Sequence, residues 1–224
     1  MRRVVTSSIL AVLVAAGFAA AASPEPTTDE QKILYALGVA AGQGLDVFRL
    51  SETELEMVKA GMTDSLLHRP LKAEVQPYAG RIQELQRARM SLVAAEEQKV
   101  GDAFLAKAAS EPGATKTPSG FVIKTLKPGT GDSPKATDKV KVHYQGTLTD
   151  GTVFDSSYQR GEPVTFPLGN VIRCWTEGVQ MIKVGGKSRL VCPANLAYGE
   201  RGAPPRIKPG ATLVFEVELL EIVK

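Results

Sequence analysis

Over 224 residues the chain carries 27 basic and 24 acidic side chains, a formal net charge of +3. So even a balance excludes the concentrated basic face that nucleic-acid binding requires. A hydrophobic share of 43% with 6% aromatic residues is that of an ordinary globular protein of one or two domains.

Arg2 and Arg3 make a positive start, Ile9 to Phe18 an apolar stretch, and Ala20-Ala21-Ala22 the small-residue pattern at which signal peptidase cuts. The run is short, rich in Ala and without charge on its far side, unlike a membrane anchor. Residues 1–22 are therefore expected to be a removed leader, and the mature chain a periplasmic protein, with outer-surface association or secretion as further destinations. No Cys follows the run, so lipid attachment is not expected. Removing Arg2 and Arg3 leaves 25 basic against 24 acidic side chains, and no later segment is apolar enough to span a membrane.

Two helical signals follow. Thr28 and Gln31 form one capping box, ahead of Ile33, Leu37, Ala40, Gly44 and Phe48 on a single face. Ser51 and Glu54 form a second, with Leu50 and Leu55 as a hydrophobic staple, and Val58, Met62 and Leu66 continue that face until Arg69-Pro70 stops it. These two helices are too small for an independent core. Residues 23–71 are accordingly expected to pair with a second copy as a homodimer. From Lys72 to Ser110 runs one long helical pattern, with a thin stripe of Ile82, Leu85, Leu92 and Val93. Its length predicts a spacer over 72–112, or a partner-pairing element; three ordinary helices in a small bundle are the other reading.

Glu111-Pro112-Gly113 ends that pattern, and over 113–224 the period changes from 3.6 to 2. Val140, Val142 and Tyr144 alternate with Lys139, Lys141 and His143; Asp150-Gly151 signals a hairpin turn. Leu213, Phe215, Val217 and Leu219 share one face of a closing strand. Between these strands Trp175, Val179 and Ile182 share a helical face expected to end at Gly185-Gly186. Antiparallel strands on one short helix make an α+β domain.

The stretch Val140 to Ser157, VKVHYQGTLTDGTVFDSS, resembles the signature of FKBP-type prolyl isomerases. So do Val171 to Gly178, Leu196-Ala-Tyr-Gly199, and Ala211 to Leu220. The N-terminal half is similar, less specifically, to the helical dimerisation region of the macrophage infectivity potentiator and related periplasmic FKBP chaperones. The resemblance implies a half-barrel sheet wrapped on the short helix, with a proline pocket between them. It implies catalytic roles for Tyr144, Asp155, Ile172, Trp175 and Tyr198, and substrate-binding walls at Phe154, Phe166, Val171 and Phe215. Trp175 would be the floor. Tyr198 and the Ile172 N–H would donate to substrate carbonyls, and Asp155, oriented by Tyr144, would stand beside the reacting one. The loop from Gly199 to Gly210 would overhang the pocket. The chain departs from the family pattern at Val164, often aromatic in small members, at Arg206 and Lys208 in a loop more often apolar, and at Cys174, where a Gly often precedes the Trp. Macrolide binding and the residue preferred before proline turn on these positions.

Such a reaction suits a site without a nucleophile. Rotation about an X–Pro amide meets a barrier of about 18–20 kcal/mol, which allows only ~0.01 events per second. No bond breaks, so neither cofactor nor metal is expected. The planar amide is its most dipolar form, and an apolar, dry pocket favours the twisted state.

Other signals carry little. Cys174 and Cys192 are too far apart for a redox Cys-x-x-Cys pair; in an exported protein they form either a disulfide or two buried thiols. Gly185-Gly186-Lys187-Ser188 mimics a phosphate loop, but Met181 stands where its earlier Gly belongs. His68 and His143 have no companion at metal spacing. Arg81, Arg87 and Arg89 are expected on a solvated face. The expected substrates are proline-containing unfolded or folding polypeptides. The competing reading is a dimeric holdase chaperone with little or no turnover, and a purely adhesive dimer is a third.

Overall fold

A computed structural model describes residues 25–223, so the expected leader at 1–22 lies outside the described residues. The chain divides into two units at Ala41/Gly42. The first contains most of α1 (Asp29–Leu45), opened by Thr28 and Gln31, each side chain accepting from the other's backbone N–H. None of its side chains is buried: Ile33 is 63% and Leu37 67% exposed. Phe48 does not extend this face as the spacing predicts. The helix stops at Leu45, and a tight turn over Asp46–Phe48 ends with Arg49 in the left-handed region at φ 47°.

In the second unit, α2 (Glu52–Leu66) starts at the expected Ser51–Glu54 capping box. The long helix α3 (Ala79–Ala109) begins later than Lys72. Pro77 is the cause. It has no N–H to donate and disfavours an α-helical residue before it, so the chain makes a single tight turn over Gln76–Tyr78 first and the α-helix begins only after it. Arg89 is not on a solvated face. Its guanidinium lies 2.5 Å from Glu54 and reaches the carbonyls of Phe48 and Arg49, joining α3 to the cap of α2. That contact, with the Ser51 backbone N–H, lowers the Glu54 carboxyl to about 2.

Seven antiparallel strands follow: β1 (Ala114–Lys116), β2 (Val122–Lys127), β3 (Lys139–Leu148), β4 (Val153–Ser156), β5 (Val164–Pro167), β6 (Lys187–Cys192) and β7 (Leu213–Val223). They lie in the order β1-β2-β6-β7-β3-β4, with β5 also on β3. β3 is the spine. It pairs with β7 along its length, with β5 through Lys139–Val142 and with β4 through Gln145–Thr147. Shifts of register after Lys141 and Gly146 bend the sheet at these junctions. Two short helices complete the domain: α4 (Ser157–Arg160) and α5 (Arg173–Val179). α5 stops before Gly185 because Met181 and Ile182 bond to the carbonyls three residues back, tightening the chain into turns.

The two faces of the sheet bury different things. Val140, Val142, Tyr144, Leu190, Phe215, Val217 and Leu219 point toward α5 and form the main core. Val122, Val191 and Val214, which alternate with them, receive Leu105 and Ala108 of α3. From Ala94 onward α3 therefore packs on the sheet domain and does not stand free of it. Ala94, Gly101 and Ala108 are small enough for close approach, and a Cβ on Gly101 would overlap the Thr212 hydroxyl. Glu111, just past the helix, holds Lys124 and Arg189 at 3.0 Å each. Gly101→Val is expected to lower the free energy of unfolding by about 1–3 kcal/mol through overpacking, read by denaturant melts monitored at Trp175.

Candidate active site

The site is built where the C-terminal half of β3, the turn into β4 and the start of α5 converge. The Asp150-Gly151 turn, with Gly151 at φ 89°, brings β4 back along β3 so that Asp155 pairs with Gly146. Gly146 is required there: a Cβ would stand 2.6 Å from the Phe154 ring that lies over it.

Trp175, 4% exposed, is the centre of the arrangement. Its ring meets Tyr144 at 5.1 Å, Phe215 at 5.4 Å and Phe166 at 5.8 Å, each close to perpendicular. Phe154 meets Phe215 in the same way at 5.6 Å. Edge-to-face contacts of this kind contribute about 0.5–1.5 kcal/mol each beyond burial, so the floor is held from three sides. The indole N–H is buried with no partner among the described residues, as expected of strictly apolar surroundings.

Above this floor opens a cavity of about 320 Å3. Tyr144, Phe154, Asp155, Phe166, Val171, Ile172, Trp175, Tyr198 and Phe215 all line it, and so does Asn170, which sequence reading missed. A larger hollow of about 840 Å3 beside α3, lined by Val47, Gln83, Met90 and Arg201 among others, has no aromatic wall. Ile172 precedes α5 with extended backbone, its carbonyl accepting from Trp175 and Thr176. Its own N–H has no acceptor among the described residues and is available to a ligand. The Tyr198 side chain is 42% exposed at the rim and its hydroxyl is likewise unpaired among the described residues. Cys174 and Cys192 are joined as a disulfide, which ties the helix carrying Trp175 to the end of β6, shortly before Tyr198.

Asp155 is not alone with Tyr144. The Tyr144 hydroxyl donates to one carboxylate oxygen, and Arg160 donates to the other and, at 2.9 Å, to the Tyr144 oxygen. Sequence reading missed Arg160 because it follows aromatic positions. The available signal is a single helical turn, capped by Ser156, that returns Arg160 to the residue five before it. Burial alone would raise the Asp155 carboxyl, but the hydrogen bonds from Tyr144 and Arg160 outweigh it and hold the group below its usual range. Burial, and the bond to Asp155, push the Tyr144 hydroxyl up. Among the described residues no cluster of three or more His, Cys, Asp or Glu is arranged to hold a metal. What remains is an apolar cup with a few fixed donors and one oriented carboxylate.

A carboxyl depressed in the folded state contributes stability above its ordinary value of ~4 and loses it as pH falls through the lower folded value. This triad should therefore be unchanged from about pH 5 to 9. Arg160→Met is expected to move the Asp155 titration, followed by carboxyl 13C shifts, toward higher pH.

Residues 131–220 match the family model described as FKBP-type peptidyl-prolyl cis-trans isomerase, and residues 30–124 match the domain amino terminal to it. The FKBP-type peptidyl-prolyl cis-trans isomerase FkpA of Aeromonas hydrophila is 44% identical over 218 residues, covering 92% of this chain and 81% of the relative. The outer membrane protein MIP of Legionella longbeachae is 33% identical over 234 residues, covering 99% and 98%. The crystal structure of FkpA from Escherichia coli superposes with a TM-score of 0.66 at 37% identity, over 88% of this chain and 97% of that one. By its paired domains, its fold and its similarity over nearly the whole chain, this protein belongs to the FKBP-type peptidyl-prolyl cis-trans isomerase family.

Proposed function

We propose that the aromatic cavity binds proline in unfolded or folding polypeptides and catalyses rotation about the preceding amide. The observation that carries this reading is the convergence of nine family-pattern residues on one cavity whose floor is Trp175. Proline lies against the indole. The exposed Tyr198 hydroxyl and the Ile172 N–H receive the flanking carbonyls, which fixes the chain on both sides of the bond. Asp155, ionised and held by Tyr144 and Arg160, stands beside the rotating carbonyl. The walls exclude water, so the planar, dipolar amide loses solvation that the twisted one needs less. No proton moves, and no step requires a metal or cofactor. A cavity of about 320 Å3 with five phenyl or phenol side chains in its lining also suits the apolar part of a macrolide.

The proposed division is a leader at 1–22, a helical dimerisation region at 23–71, a connecting helix within 72–112 and the isomerase domain at 113–224. Arg2, Arg3 and the apolar run after them support export to the periplasm, as does the Cys174–Cys192 disulfide, which an oxidising compartment sustains. Among the described residues no helix is long and apolar enough to cross a membrane. The exposed Ile33, Leu34 and Leu37 on α1 support homodimerisation, since burying each such side chain stabilises by about 1.5–3 kcal/mol. The same apolar face favours one further reading, a dimeric holdase chaperone.

Wild type is expected to accelerate cis-to-trans conversion of a Leu-Pro or Phe-Pro peptide, and an FKBP-directed macrolide to abolish the effect. Tyr198→Phe should lower kcat/KM about three- to tenfold, the worth of one neutral hydrogen bond. A double variant, Tyr198→Phe with Asp155→Val, that still suppresses client aggregation after losing turnover would transfer the principal role to the holdase. Light scattering at micromolar concentration should give twice the protomer mass; a single protomer mass would remove the dimer.

A further inference from the structure

Beside the aromatic cavity lies a second hollow of different chemistry. It is an open groove of about 570 Å3, lined in part by Thr152, Phe154, Asp155, Arg160, Pro205 and Arg206. Phe154 and Asp155 belong to both hollows, so the two adjoin at the carboxylate beside the rotating amide. The residue that supplies the rotating carbonyl is the one before proline, and its side chain therefore starts at this junction.

Two guanidinium groups reach the groove, and their states differ. Arg160 is spent on Asp155 and the Tyr144 hydroxyl, a locally neutral arrangement. Arg206 donates from Nη1 to the Phe154 carbonyl at 2.8 Å. That bond fixes its head group over β4 without neutralising it. Its other donors have no acceptor among the described residues, and it makes no ion pair there. Lys208 adds no second free cation, being paired with Glu97 at 2.6 Å, and Asp150, which accepts from the Thr152 N–H at 2.8 Å, makes no ion pair with Arg206 among the described residues. The groove thus holds one anchored, unpaired positive charge.

We propose that Arg206 is a specificity-determining residue, and that the groove favours a carboxylate side chain immediately before proline, Glu-Pro or Asp-Pro. The inference rests on the aromatic cavity being the prolyl site. Because the groove is open, the preference is of the size of an exposed ion pair, about 1.5- to 5-fold in kcat/KM. Because it is electrostatic, it fades at ~1 M salt, where charges are screened within about 3 Å.

The test compares two isosteric peptides, Glu-Pro and Gln-Pro, as a ratio of kcat/KM within each variant, so that a general loss of turnover cancels. Wild type at low salt should give a ratio of about 1.5 to 5. Arg206→Lys should keep it, Arg206→Gln should bring it to one, and Arg206→Glu should invert it; 1 M NaCl should flatten it in wild type. A wild-type ratio of one, or the same ratio in wild type and Arg206→Gln, overturns the proposal while leaving the prolyl site standing. No acceleration of Leu-Pro by wild type would overturn that site as well, and is read separately.

Discussion

The catalytic domain depends on how Trp175 is held. An indole lying as a floor must present one face to a ligand, so all its support must come from its edges and its other side. Tyr144, Phe166 and Phe215 supply that support as near-perpendicular neighbours. Each stands on a strand whose position β3 determines: Tyr144 on β3 itself, Phe166 on β5, and Phe215 on β7, which pairs with Gly146. A slip of β3 by one residue would turn Tyr144 to the opposite face and remove the floor's nearest neighbour. The branching of β3 to three partners is what prevents the slip.

The reverse face explains the long helix. A sheet with apolar residues on both faces needs two covers, and α5 covers one. Leu105 and Ala108 cover Val122, Val191 and Val214 on the other. The helix approaches through Gly101 and Ala94, which lie against Thr212 and Gly210, and Gly210 closes the loop that begins at Gly199 beside Tyr198. The segment joining the helical region to the catalytic domain is therefore structural to the latter. Its stripe of large residues is thin because much of its contact surface, Ala94, Gly101 and Ala108, is made of small ones, with Leu105 and Phe104 the exceptions.

That is also why the helix was the least legible part of the chain. Periodicity over large apolar residues finds surfaces that bury Leu and Ile, and it passes over Ala94, Gly101 and Ala108, whose role is to take up no room. Pro77 was visible and sufficient to delay the start of α3, but the polar pattern around it reads as continuous. The strands were legible because alternation is unambiguous when one face is fully buried, as with Val140, Val142 and Tyr144. The nine cavity residues were legible through the family pattern, which carries their spacing directly. Arg160 and Asn170 were not: Asn170 reaches the cavity, and Arg160 the Asp155 carboxylate at its edge, through local turns whose geometry no spacing rule expresses. Arg89 was misread for a related reason: its partner Glu54 lies on another helix, and charge spacing along α3 alone cannot find it.

A site of this kind differs from one built on a nucleophile in how it tolerates change. Where a bond must break, losing one group commonly removes the reaction. On the proposed reading the rate arises from a shape, a low polarity and a few oriented dipoles, each contributing a modest factor. Walls can then vary independently of the floor, as the half-buried Val164 does in packing against the aromatic core. The same independence applies to charge. Arg206 stands outside the dry cup and bonds only to a backbone carbonyl of its wall, so it can act on which chain enters without altering the medium in which the amide turns. On the proposed reading, selectivity in the polar groove and rotation in the apolar cavity are thus separable, with Asp155 the one side chain they share that carries charge.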